Sequence, residues 1–336
     1  MSFVRPSDFW STCRDVRGAT RCREGQPGKG HHRQQQEGRQ FVKLPSDGFM
    51  IKWDHTIEEE DTIMHRRDWL RAGAVLWGTL AGNLTAAAQN ARTKSSLIID
   101  GHCHAGKGEA MAAPWSTYAD PEVTLRRAQE AGIDKTIIFP INNPTYEKPN
   151  EELAQIVQKY RGKFIGFAKH DPVTEAGKIK QLLRHEVKDL GLKGLKLHQL
   201  PTREVLDAVA ELEIPILFHP PKVTDYHMIA STYPQINFIL AHLGSFASQN
   251  WSEHLQAIDV ARRYPNVYLE TSSVVFLEYL EMAARELPAE KLIFGTDGPL
   301  VDSRVELYKI RLLKLSKEKE EKVLSGNILR LLPKGT

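Results

Sequence analysis

Cysteine is scarce: Cys13, Cys22 and Cys103 are the 3 present in 336 residues. Three thiols make no disulfide framework, which excludes a small cross-linked scaffold. Charge of one sign is missing too, since 45 basic and 42 acidic side chains leave a formal net charge of +3. Both signs are interspersed over the second two thirds of the chain, so no track for nucleic acid is expected. No apolar run is long enough for a comfortable membrane span, and no basic amphipathic helix points to a membrane surface. No Gly-x-Gly-x-x-Gly opens a helix, which removes the usual dinucleotide-binding fingerprint.

What is present is unevenly distributed. Residues 1–63 include Gly28-Lys29-Gly30-His31-His32-Arg33-Gln34-Gln35-Gln36, polar and without apolar periodicity. Such a stretch cannot bury enough surface to offset its ordering entropy, so 1–63 is expected to be disordered. At Met64 the character changes. Arg66-Arg67-Asp68-Trp69-Leu70-Arg71 precedes a mildly apolar, Gly- and Ala-rich run over 72–84, which ends in Thr85-Ala86-Ala87-Ala88. That order resembles a twin-arginine export signal over 64–88 and implies the twin-arginine machinery as a partner and a periplasmic location. The alternative is an uncleaved anchor or an ordinary surface helix. Because such signals stand near a chain's start, translation is expected to begin at Met64, with 1–63 a gene-start artefact.

From Leu97 onward strands and helices alternate with little left over. Short apolar runs predict strands over 97–104, 134–140, 164–168, 194–198, 215–220, 236–244, 266–271 and 291–297. Between them lie amphipathic stretches, such as the one opened by Asp120-Pro121-Glu122 and stopped at Gly132. Eight strand–helix units over 95–336 predict an α/β fold, a (β/α)8 TIM barrel. The competing doubly wound sheet usually has fewer strands and needs a switch-point crevice.

The chemistry follows from the histidines. Nine lie beyond Leu97, and six of them (His102, His104, His170, His198, His219, His242) fall at the C-terminal ends of predicted strands. In a barrel those ends form one mouth, where active sites are built. His185, His227 and His254 fall on helices and read as surface or packing residues. His102 and His104, one residue apart on a strand, share a face. Imidazoles with one carboxylate suit zinc and similar ions, which makes His102, His104, His219 and Asp297 the candidate metal ligands. Singly, each is equally a core histidine or a capping aspartate. Asp100 is either a partner of these ligands or a strand-end hydrogen-bonding residue. His170 either lines the pocket or caps its strand, and Cys103 faces away by alternation.

Asp100-x-His102-x-His104, Phe218-His219-Pro220, Ala241-His242-Leu243-Gly244 and Phe294-Gly295-Thr296-Asp297-Gly298-Pro299 resemble the amidohydrolase superfamily. The likeness is greatest to the branch that includes aminocarboxymuconate semialdehyde decarboxylase. The tail Gly326-Asn327-Ile328-Leu329-Arg330-Leu331-Leu332 resembles that branch's closing helix. The resemblance implies one divalent ion, Zn2+ or alternatively Mn2+, held by His102, His104, His219 and Asp297. It also implies His242 as the catalytic histidine. His242, or Asp297 through its free oxygen, would serve as general base. Other branches carry a carbamylated lysine between two metals at the position of Lys196, so a binuclear site is the alternative to Lys196 or His198 contacting an anionic substrate. The implied activity is hydrolysis of an ester, lactone or amide of a small molecule, with non-oxidative decarboxylation as the alternative and an inactive binding barrel as the third reading. A homodimer is compatible with all three.

Overall fold

Each expected apolar run becomes a strand in the computed structural model, which describes residues 96–110 and 117–336. The segments read as disordered (1–63) and as an export signal (64–88) lie outside the described residues. The strands are β1 (Ile99–Lys107), β2 (Tyr118–Ala119), β3 (Lys135–Pro140), β4 (Phe164–Gly166), β5 (Ala168–Lys169) and β6 (Leu195–Leu197). They continue with β7 (Ile216–Phe218), β8 (Phe238–Leu240), β9 (Val267–Glu270) and β10 (Leu292–Ile293). Helices α1 (Pro121–Ala131), α2 (Glu147–Lys159), α3 (Ile179–Lys188) and α4 (Arg203–Leu212) separate the first of these. Helices α5 (Tyr226–Thr232), α6 (Ser252–Arg263), α7 (Leu277–Glu286) and α8 (Ser303–Leu312) follow in the same alternation. The chain closes with α9 (Lys317–Glu321), a π-turn over Lys322–Gly326, and α10 (Asn327–Leu331).

Helix α1 shows why the boundaries fall where they do. Asp120 accepts from the backbone N–H of Glu122 at 2.9 Å, Pro121 occupies the first turn, and Gly132 at φ 79° ends it. That glycine is needed, because left-handed backbone penalises any residue with a Cβ.

The expected single ring of eight strands is registered as two sheets, β2-β1-β3-β4 and β10-β9-β8-β7-β6-β5. All neighbours run parallel except β2, a short antiparallel addition to the end of β1 that the sequence did not announce. The interruptions have local causes. The third expected strand divides at Phe167, whose N–H goes back to Ile138 O at 2.9 Å while the next N–H, of Ala168, turns to Gly194 O at 2.9 Å. At the other seam the register of β1 shifts between Asp100 and Cys103. The chain after β10 is irregular there, yet Gly101 N–H reaches Phe294 O (2.9 Å), Asp297 N–H reaches His102 O (2.7 Å) and His104 N–H reaches Gly298 O (2.7 Å).

Alternation along the strands separates two apolar clusters. Ile138, Phe218, Phe238 and Leu240 belong to the one that also contains Val205, Val209 and Leu183 from the helices. Ile137, Phe139, Leu217 and Ile239, the residues in between, form the second with Ile328, Leu331 and Leu332 of the tail. Both faces of these strands are therefore buried, as parallel sheets require.

Candidate metal centre

At the C-terminal ends of the strands a cavity of about 360 Å3 is lined by His102, His104, Asn142, His198, His219, His242, Phe246, Asp297 and Leu300. Histidines from β1 and from the ends of β6, β7 and β8 thus meet a carboxylate that follows β10. Among the described residues one ring nitrogen each of His102 and His242 and a carboxylate oxygen of Asp297 lie within 4.8 Å of one another, close enough to serve one ion. Asp297 Oδ1 is the hub, 3.2 Å from His104 Nε2 and 3.4 Å from His102 Nε2. His104 and His219, expected as ligands, fall outside the close group of His102, His242 and Asp297, while His242, expected as the catalytic base, is inside it. The His219 ring stands edge-on to that of His242 with centroids 4.9 Å apart, and His198 is 5.6 Å from His219.

The hydrogen bonds around the hub fix which atoms remain available. Glu270 Oε2, at the end of β9, lies 2.9 Å from His102 Nδ1 and also accepts from His242 N–H (3.2 Å) and Ser272 Oγ (2.9 Å). The His102 tautomer with its proton on Nδ1 donates to Glu270 and leaves the lone pair of Nε2 between Lys196 Nζ (3.4 Å) and Asp297 Oδ1 (3.4 Å). Neutral imidazoles gathered around one carboxylate are a donor set that fits a divalent ion. Asp297 Oδ2 accepts from Ser273 Oγ at 2.9 Å. His242 Nδ1 lies 3.2 Å from Ser272 O and 3.1 Å from Ser272 Oγ, so its other nitrogen is left for the cavity. His104 Nδ1 is buried with no hydrogen-bond partner among the described residues.

Burial keeps the imidazoles neutral, the form in which they donate to a metal. Desolvation lowers His104 to about 4 and His219 to about 2, and holds His102, His198 and His242 below the ordinary value. Burial alone would raise Asp297, but His242, the bond to His104 and the nearby His102 outweigh it and hold the carboxyl ionised. Burial raises Glu270, with His242 and the Ser272 bonds acting against it.

Backbone strain marks the same place. His242, Ser273 and Asp297 all have φ 57°, in left-handed space where non-glycine residues cost about 1–3 kcal/mol each. Gly295 makes room for the site: a Cβ there would stand 2.3 Å from Glu270 Oε1 and 2.9 Å from His102 Cβ.

The remaining candidates are placed less uniformly. Asp100 makes no hydrogen bond to an imidazole ring among the described residues. Its carboxylate accepts from Thr296 N–H (2.9 Å), Thr296 Oγ1 (2.6 Å), His102 N–H (3.1 Å) and Cys103 Sγ (3.0 Å), tying β1 to the segment after β10. Burial pushes Asp100 up to about 7 against those bonds. Lys196 is fully buried behind His102, with Nζ 3.4 Å from His102 Nε2, and is not part of the cavity wall. Burial lowers it to about 8, while Asp297 and Glu270 act in the opposite direction. His198 does line the cavity. His170 does not, because both of its ring nitrogens are taken, Nδ1 by Glu175 (3.0 Å) and Nε2 by Glu186 (2.8 Å). The sequence reading missed Glu270, Ser273 and Lys169. An acid closing an otherwise apolar strand, Val267-Tyr268-Leu269-Glu270, was the available signal for the first.

Residues 99–334 match the family model described as amidohydrolase. A search of curated protein sequences finds no match. Solved structures resemble the chain in fold. One is 5-carboxyvanillate decarboxylase from Sphingomonas paucimobilis, 15% identical, TM-score 0.57, covering 70% of this chain and 99% of its own. Another is a dihydroxybenzoic acid decarboxylase from Polaromonas with bound manganese and the inhibitor 2-nitroresorcinol, 19% identical, TM-score 0.55, covering 70% and 96%. A third is a probable 2-pyrone-4,6-dicarboxylic acid hydrolase from Acinetobacter baumannii with citric acid bound, 15% identical, TM-score 0.54, covering 70% and 98%. The family match spans most of the chain and coincides with the strands that carry the histidine and aspartate cluster, so the chain belongs to the amidohydrolase family.

Proposed function

We propose that this chain is a divalent-metal-dependent hydrolase of a small anionic molecule carrying an ester, lactone or amide carbonyl. The carrying observation is that Asp297 Oδ1 lies within 3.4 Å of Nε2 of both His102 and His104 at the head of a histidine-lined cavity. His102, His104, His219 and Asp297 would hold the ion, Zn2+ or Mn2+. When bound, the ion supplies Lewis acidity, which sharpens both a carbonyl's electrophilicity and a water's acidity.

The chain's own residues do the rest. Glu270 fixes the tautomer and orientation of His102. Ser272 engages His242 Nδ1, leaving Nε2 unprotonated and facing the cavity, where it can take a proton from water and return it to the leaving group. Asp297 Oδ2, paired with Ser273 Oγ, is the second acceptor for that proton. One ion is the proposed arrangement, with Lys196 lying beside His102 at 3.4 Å. We further propose that the two parallel sheets form one (β/α)8 barrel, and that the chain is exported by the twin-arginine route, which a reporter fused to residues 64–88 would test.

The second reading, non-oxidative decarboxylation, is favoured by the decarboxylases among the similar folds. One experiment separates the two. Metal-loaded protein is incubated with lactones, amides and carboxylated aromatics in 18O-labelled water. Hydrolysis puts one label into the product acid. Release of carbon dioxide with no label in the organic product would replace the first reading by the second.

A further inference from the structure

Lys169 is a buried lysine that the chemistry above does not use. The residue is 1% exposed, and its Nζ donates to Asn142 Oδ1 at 2.8 Å. Its other neighbour is the ring of Tyr146, with the centroid 5.2 Å away. No carboxylate among the described residues pairs with it. An ammonium in that position is costly, and an apolar side chain of similar length would fill the space without the penalty.

The position is firmly built. Asn150 Oδ1 accepts from Lys169 N–H (3.0 Å) and Asn150 Nδ2 donates to Lys169 O (3.0 Å), clasping the end of β5 against α2. Asn150 Nδ2 also donates to Glu186 at 2.7 Å, which continues to His170. On the other side the backbone of Asn142 is fixed by Glu109, whose N–H reaches Asn142 O at 2.8 Å.

Because Lys169 Nζ donates to Asn142 Oδ1, the carbonyl oxygen of the amide faces the lysine. The Nδ2 hydrogens then point the other way, and Asn142 is a wall residue of the cavity that holds His102, His104 and Asp297. The cavity is also electrically lopsided. Asp297 and Glu270 stand at the ends of β10 and β9, while the buried lysines Lys169 and Lys196 stand at β5 and β6. Burial first, and then Lys196, push Lys169 well down, so an anion near Asn142 would offset both and keep the ammonium charged.

We propose that Asn142 anchors a second anionic oxygen of the substrate, a carboxylate remote from the reacting carbonyl, with its amide N–H groups held toward the cavity by the buried ammonium of Lys169. Asn142 touches the substrate and Lys169 is its positioning residue. This rests on the metal-dependent reading of the same cavity and adds the group by which that cavity recognises its substrate.

The test compares benzoate with isophthalate, binding to Mn2+-loaded protein, by titration calorimetry. Benzoate offers one carboxylate, for the metal end, and isophthalate offers two. Isophthalate is expected to bind at least about tenfold more tightly, the worth of a charge-assisted hydrogen bond. Asn142→Asp, which turns an acceptor-only face to the cavity, and Lys169→Met should each bring the ratio of isophthalate to benzoate affinity down to about one. Equal binding of the two acids to the unaltered protein overturns the inference, and so does a gain that survives in Asn142→Asp. Because that variant keeps Lys169 and its buried pairing, a folding defect in Lys169→Met does not decide the matter. If neither acid binds in a Mn2+-dependent way, the metal-dependent reading fails with it, a result distinct from equal binding.

Discussion

Glu270 carries more of the site than any residue singled out from the sequence, since it holds His102 by the ring and His242 by the backbone at once. Glu270→Gln is expected to weaken metal affinity about ten- to hundredfold, the usual effect of losing a ligand's hydrogen-bond partner. Competition with a chelator of known affinity reads this directly. His242→Asn should behave differently: metal content by mass spectrometry is retained, while kcat falls by at least about a hundredfold, the scale of a lost general base. Full turnover in that variant would remove His242 from the mechanism. Gly295→Ala should abolish metal binding without removing any ligand, because its Cβ collides with Glu270 and His102. The six strand-end histidines were legible in the sequence as a group, but their division of labour was not. His170 occupies a place equivalent to His198 or His219 in spacing, yet it is enclosed by Glu175 and Glu186, which come from the following turn and from α3. A sequence cannot show which imidazole finds two carboxylates.

At the level of elements, β5, α2 and α3 are joined by that buried histidine. Burial alone would lower His170, but the bonds to Glu175 and Glu186 outweigh it and raise the ring to about 9. The sign of the consequence is fixed by linkage. A histidine raised above its unfolded value of about 6.5 stabilises fully below that pH, and the contribution is lost as pH rises through about 9. His170→Gln is therefore expected to cost on the order of 3 kcal/mol near pH 6 and distinctly less near pH 10, in denaturant melts at the two pH values. A loss independent of pH would assign His170 a packing role alone. Helix boundaries were readable where a cap and a stop were explicit, as in α1. They were not where the chain turns before it coils: α3 begins at Ile179 because residues before it, including Glu175, are committed to turns around His170. β2 is two residues long and its pairing with β1 is tertiary, so nothing local announced it.

For the molecule as a whole, the alternation of strand and helix was plain in the sequence because both faces of the strands are buried and the runs are nearly all apolar. The division into two sheets was not, because it depends on single backbone bonds at Phe167 and at residues 294–298. Those same bonds hold the candidate ligands of β1 against Asp297, so metal removal should be felt globally. Dialysis against a chelator is expected to abolish activity and to lower the melting temperature, and added Mn2+ or Zn2+ should restore both. An unchanged melting temperature would place the ion outside the fold's own stabilisation.

His104 and Asp297 meet although they lie 193 positions apart in the chain. The centre therefore has no existence on a growing polypeptide. A ribosome must add 193 residues beyond His104 before the first pair of histidines meets its carboxylate, and until then His102 and His104 are only two imidazoles on a nascent strand. Loading of the proposed ion would wait for Asp297, and a product truncated short of Asp297 would display both histidines and lack the carboxylate of the candidate centre.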